Sequence, residues 1–313
     1  MKGKVLGGII LILIIIVTLL LFIQEERPLQ MMSRKQVISM YETNSYETFR
    51  ISVLTNDPNS FHFDEDYISR IALVNGDEKT RVEIDKIMID KQQLLHQDTV
   101  FTVVHFDLRP LIHLDDGQLI YDDASLEITY RNDTTYYIPV GEVNYVFTHD
   151  AEPSLSLGGL SATIDTYDKG SRVSGLYIEL GNLTYHNILI KDIDIMSVSV
   201  KANTRQLKEV YTPVEYTDCP SDILGLASYD LFQTYVPTEL RIQLLSQTSK
   251  AFYVPLVYNA SIEYIERFTV KVTYEIDGTE KTQYIDDFPF IRQPLFHMDN
   301  TDDWIEIDDP ISD

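Results

Sequence analysis

From Phe49 onward the apolar positions fall into short runs with a period of two. Phe49, Ile51 and Val53 share one face. Leu126, Ile128 and Tyr130 alternate with Glu127, Thr129 and Arg131, and Phe268, Val270, Val272 and Tyr274 with Thr269, Lys271, Thr273 and Glu275. Such alternation predicts half-buried strands, whereas Thr99–Leu108, β-branched and aromatic throughout, predicts a strand covered on both faces. Turn material separates the runs at Asn56-Asp57-Pro58-Asn59, Asn75-Gly76-Asp77 and Asn132-Asp133. Short strands punctuated in this way predict antiparallel β-sandwiches of the immunoglobulin-like kind. A Ser- and Gly-rich stretch at 151–172 is the expected linker, so the pattern predicts one sandwich over 46–150 and a second over 173–298. Residues 220–233 alone read as helical, as a crossover between strands. The hairpin around Leu126–Tyr130 resembles the one around Val270–Tyr274, which suggests related tandem domains.

One stretch breaks the alternation. Val5 to Ile23 holds nineteen residues without an ionisable side chain. As a helix it would span roughly the ~30 Å hydrocarbon core of a bilayer. The core is longer than that of a cleaved signal, and its exit, Leu21-Phe22-Ile23-Gln24-Glu25-Glu26, has no small residue for a cleavage site. A retained signal-anchor over 1–23 is therefore expected, in contact with lipid through 5–23. Lys2 and Lys4 precede the stretch and Glu25 and Glu26 follow it, which puts the amino terminus in the cytoplasm and 24–313 outside the plasma membrane. Pro28 ends any helix, leaving 24–45 as a juxtamembrane connector. The positive leader, the glycines and the long aliphatic run ahead of a strand-rich head also resemble pilin-type subunits over these residues. The acidic residue that such helices carry near their start is missing, and the family is not assigned.

Charge narrows the partners. The chain carries 49 Asp and Glu against 25 Lys and Arg, a net −24, which repels nucleic acid and anionic lipid from the globular part. With 313 residues and 44% hydrophobic content, there is ample apolar surface for more than one core. The single cysteine, Cys219, cannot form an internal disulfide and has no basic neighbour to activate it.

Candidate chemistry is sparse. His105, Asp107 and Arg109 would share one strand face, read as a polar ladder rather than a metal site. Asp57, Asn59, Asp64 and Asp66 lie in one loop and carry the hard oxygens calcium needs, so they are the calcium candidates; no other cofactor is expected. Gly159-Leu160-Ser161 approaches a nucleophile elbow but lacks its final glycine. Asn132, Asn182 and Asn259 open glycosylation triplets. The acidic tail, 299–313, carries seven carboxylates and the only tryptophan. It is read as a solvated end, or as a docking segment in which Trp304, Ile305 and Ile307 anchor in a partner's groove.

These features favour a non-catalytic, membrane-anchored protein of the cell surface or envelope, whose extracytoplasmic β domains bind or assemble with protein partners. The alternatives are an accessory or sensor subunit of a membrane transporter or enzyme complex, and a carbohydrate-directed ectoenzyme.

Overall fold

The alternating stretches are strands, and the molecule is mainly β. A computed structural model describes residues 28–42, 48–111, 117–147, 153–167, 170–210, 239–259, 265–289, 304–308 and 310–312. The apolar stretch 5–23 and the helical reading of 220–233 lie outside the described residues. Among the described residues no helix is long and apolar enough to cross a membrane. The chain divides into two compact units, residues 1–30 and 31–313, and the described strands all belong to the second.

The first strands are β1 (Met31–Ser33), β2 (Gln36–Glu42) and β3 (Phe49–Thr55). Two 3-10 turns, Phe61–Phe63 and Glu65–Tyr67, lead into β4 (Ile68–Asn75), β5 (Glu78–His96), β6 (Thr99–Pro110), β7 (Gly117–Tyr130) and β8 (Thr134–Phe147). After these come β9 (Leu155–Tyr167), β10 (Gly170–Asn182), β11 (Ile188–Ile195), β12 (Val200–Ala202) and β13 (Lys208–Val210). The last are β14 (Ile242–Leu244), β15 (Ser249–Tyr258), β16 (Ile265–Ile276), β17 (Thr279–Pro289), β18 (Ile305–Glu306) and β19 (Ile311–Ser312).

They form two sheets. The larger runs β14-β11-β16-β2-β8-β7-β4-β5-β6-β3-β1-β18, with β17 on β16 and β19 on β8; the smaller runs β12-β15-β10-β9, with β13 on β15. Strand β5 makes the corner of the larger sheet, pairing with β4 through Glu78–Arg81 and with β6 from Val82 to His96. One apolar core lies between the small sheet and part of the large one: Leu176, Ile178, Phe252 and Val254 on one side, Ile188, Ile190, Phe268, Val270 and Val272 on the other. These residues are the period-two positions of β10, β15, β11, β16, and burying them is the main driving force for the arrangement.

Two segments differ from the sequence reading. The 24–45 connector contains β1 and β2, and β2 sits in the middle of the larger sheet. Val37, Ile38, Ser39 and Met40 are buried, so the stretch shows no alternation because both its faces are covered. It also breaks the antiparallel rule, running parallel to β8 (Gln36↔Gly141 to Glu42↔Phe147) and to β16 (Ile265↔Val37). In this way β2 hydrogen-bonds strands of both expected domains into one sheet. Within the Ser- and Gly-rich linker at 151–172, the described residues from Leu155 onward are strand, in a β9–β10 hairpin whose register runs from Leu155↔Asn182 to Tyr167↔Gly170. Its small residues belong to an edge strand rather than to a tether.

The two compared hairpins are both present, turning at Asp133 (φ 63°) and at Asp277-Gly278 (φ 51° and 76°). Positive φ at both central residues of the second turn matches the twist of its strands.

Candidate functional site

The calcium candidates do not converge. The Asp57 carboxylate accepts from the Asn59 amide at 3.2 Å, and the Asp64 carboxylate from the Asp66 amide at 3.0 Å, capping the second 3-10 turn. Each carboxylate is turned onto its own backbone, as short acidic side chains in turns commonly are. Among the described residues no three His, Cys, Asp or Glu side chains gather as a metal site would.

The ladder of His105, Asp107 and Arg109 exists, and its partners come from neighbouring strands. Asp107 takes both ends of the Arg50 guanidinium at 2.7 and 3.0 Å, and Arg109 donates to Asp85 at 2.8 Å. His105 Nδ1 lies 2.9 Å from Ser52 Oγ, with Asp90 3.7 Å from Nε2. Serine, histidine and aspartate are the residue types of a nucleophile, its base and its orienter. Here, however, Ser52 is paired in the β3–β6 ladder directly opposite His105, and Asp90 is beyond hydrogen-bond length. Regular strand pairing does not turn two amides toward an attacked carbonyl as an oxyanion hole must. The cluster is a polar seam between β3, β5 and β6.

Among the described residues His62 and His105 are buried, and both titrate low. Burial lowers the pKa of His62 from 6.5 against a smaller opposing pull from Asp57. Burial and Arg50 lower that of His105, while Asp90 and Asp107 oppose. A depressed folded-state pKa means that the unfolded chain takes up protons first, so this contribution is intact above pH 6.5 and is lost as pH falls below it. Asp192 acts in the opposite sense, its carboxyl pushed up from 3.8 by burial and by Asp194, over a lower pH range. Urea midpoints should therefore fall as pH is lowered from 6.5 over about one to two units, and a His62→Gln, His105→Gln double variant should flatten that slope.

The tail is docked on its own chain. Strand β18 pairs with β1 (Met32↔Glu306, Ser33↔Ile305), and the Ile307 amide donates to Met31 O at 2.9 Å. Trp304, 9% exposed, packs with Met32, Leu54, Leu94, Phe101 and Val103, and the Arg34 guanidinium lies 5.2 Å from its ring centroid. Ile307 is buried and Ile305 exposed. Farther on, β19 pairs with β8 at Thr134 and Thr135. The groove expected on a partner is thus supplied by β1, β3, β5 and β6, and Ile305–Glu306 and Ile311–Ser312 are strand-paired. Residues 299–303 lie outside the described residues. Trp304→Ala should lower stability by about 2 kcal/mol. Because this is the only tryptophan, a red shift of native fluorescence on gentle heating would report release of the tail ahead of global unfolding.

Of the glycosylation triplets, Asn132 and Asn259 are exposed. Asn182 is buried, with its Nδ2 donating to the carbonyls of His186, Leu244 and Leu245 at 2.8, 3.2 and 3.1 Å. Ser161 sits in the β9–β10 ladder opposite Tyr177, not at an elbow. Cys219 lies outside the described residues.

One buried polar site has no counterpart in the sequence reading. Glu142, fully buried on β8, accepts from Ser197 Oγ at 3.0 Å, the Val198 amide at 2.6 Å, the Ser199 amide at 2.9 Å and Asn144 Nδ2. Asn144 is on β8 itself, and the other three donors sit on the loop carrying the chain from β11 in the large sheet to β12 in the small one. The available signal was a single carboxylate inside the otherwise uncharged run Tyr136–Phe147, a charge that burial tolerates only with several donors.

No protein-family model matches the chain, and no curated protein matches it in sequence. Among solved structures it is similar to the C-terminal domain of the AgI/II polypeptide BspA of Streptococcus agalactiae, at 6% identity over 82% of this chain and 99% of that one, with a TM-score of 0.18. It is also similar to the C-terminal domain of the antigen I/II-family protein AspA of Streptococcus pyogenes, at 10% identity over the same shares, with a TM-score of 0.17. A likeness this distant carries no argument about function.

Proposed function

We propose that this chain is a non-catalytic binding protein of the cell surface or envelope, held by a signal-anchor helix at 5–23 and presenting a mainly β head outside the membrane. The observation that carries the reading is the position of β2. Thirteen residues after the apolar stretch, the chain enters the centre of the larger sheet and is buried between β8 and β16. Strand β1 comes first, paired with β3 and β18, and β2 follows it into the centre, so the segment nearest the apolar stretch is strand-paired into the head at two separate places. Such a root suits a protein that holds a partner against the membrane. The polar clusters are consistent with this reading, since they tie strands and loops together.

Two measurements test it. Protease added to sealed cells should cleave within 24–313; protection of that region would overturn the orientation. Detergent extraction and pull-down from the native membrane should recover a stoichiometric protein partner with the full chain, and recovery of none would overturn the binding role.

A further inference from the structure

Strand β9 ends the smaller sheet, and among the described residues no strand pairs with its outer side. It is also undefended. From Leu155 to Ile164 the sequence Leu-Ser-Leu-Gly-Gly-Leu-Ser-Ala-Thr-Ile holds no charge and no proline, in a chain of net charge −24. Strand β17, at the side of the larger sheet, carries Glu280, Lys281, Asp286, Asp287 and Pro289, the residue types that discourage pairing at an edge. The other terminal strands, β12, β13, β14 and β18, have three residues or fewer, whereas β9 has thirteen.

One end of the β9 edge already holds an amide. The Gln283 side chain accepts from the Ser154 and Leu155 amides at 3.1 and 3.0 Å and donates to Leu155 O at 2.8 Å. A side-chain amide here satisfies backbone groups as a neighbouring strand would. Beyond it, Glu179 of β10 lies across the edge strand: a Cβ on Gly158 would stand 2.8 Å from its carboxyl carbon, and one on Gly159 3.9 Å from a carboxylate oxygen. The glycines therefore leave room for a carboxylate over the outermost strand.

We propose that the open side of β9, from Ser156 to Ile164, takes an extended segment of a partner protein as an added strand, with a basic residue of that segment set against Glu179. This rests on the binding role above and specifies its site. An unpaired row of strand amides and carbonyls recognises extended backbone, and Glu179 adds a preference for positive charge.

The test uses the full chain in detergent and a blocked ten-residue peptide of alternating threonine and valine with one central lysine. Hydrogen exchange should slow at Ser156–Ile164 on adding the peptide. Methylating the alternate peptide nitrogens that face the edge should weaken binding about a hundredfold, because several backbone bonds are lost together. Replacing the lysine by glutamate should weaken it about fivefold, and Glu179→Gln should abolish that difference. Unchanged exchange at β9, or equal binding of the methylated peptide, would overturn the proposal. So would concentration-dependent protection of β9 without peptide, which would assign the edge to a second copy of this chain. A native partner that leaves β9 unprotected would sink this site and leave the binding role standing, whereas β9 protected by the probe without any native partner would do the reverse.

Discussion

Glu142→Ala is expected to lower the unfolding free energy by about 4 kcal/mol, read from the shift of a chemical denaturation midpoint. The loss has a definite origin. Removing the carboxylate strands the Val198 and Ser199 amides and the Ser197 hydroxyl, each 2.6 to 3.0 Å from it in the folded chain, and each buried donor left unmade costs about 1–3 kcal/mol. Ser197 Oγ also accepts from the Ser199 and Val200 amides at 3.1 and 2.9 Å, which softens the total. Glu142→Gln keeps the shape but turns an NH2 group toward donors, so about half the loss should remain. If the Ala variant unfolds within 1 kcal/mol of the parent, the loop does not depend on this carboxylate.

Gly141→Ala, one residue earlier, should cost a similar amount for an unrelated reason. Gly141 has φ 96°, in a stretch where β8 slips register against β7 between Ala124↔Gly141 and Ser125↔Pro139. A Cβ there would lie 2.6 Å from Gln36 O and 2.7 Å from Gln36 N. Both atoms are backbone of β2, so no side chain can swing aside. Strain at the dihedral contributes about 1–3 kcal/mol, and overpacking against β2 about 1–3 more, or about 4 kcal/mol in all. The double variant with Glu142→Ala should be less than additive if both loosen the same junction. Hydrogen exchange at Val37–Met40 would localise the damage; unchanged protection there would contradict the account.

The strands themselves were legible because their buried positions repeat every second residue, as in β7 and β16. What escaped was whatever period two does not encode. Residues 36–42 carry no alternation, since both faces of β2 are covered, and so resemble a stalk. Ser156, Gly158, Gly159 and Ser161 look like a linker because an edge strand beside Glu179 needs little side-chain bulk. Trp304 was recognisable as an anchor, but sequence alone does not say whose groove receives it; the groove is built from β1, β3, β5 and β6 of the same chain. Glu142 stands out as a charge in its run, but what receives it does not, since the Ser197, Val198 and Ser199 donors lie 55 to 57 positions farther along.

The position of β2 also bears on how the chain is assembled as it is made. Val37 belongs to the same apolar core as Phe268 and Val270 and pairs with Ile265. An early-synthesised strand therefore waits for one of the last long strands before its second edge is covered. Contacts so distant along the chain slow folding, and until then an edge of a strand carrying Val37, Ile38 and Met40 stands open. In a chain of net charge −24, mutual repulsion acts against association of such half-finished copies.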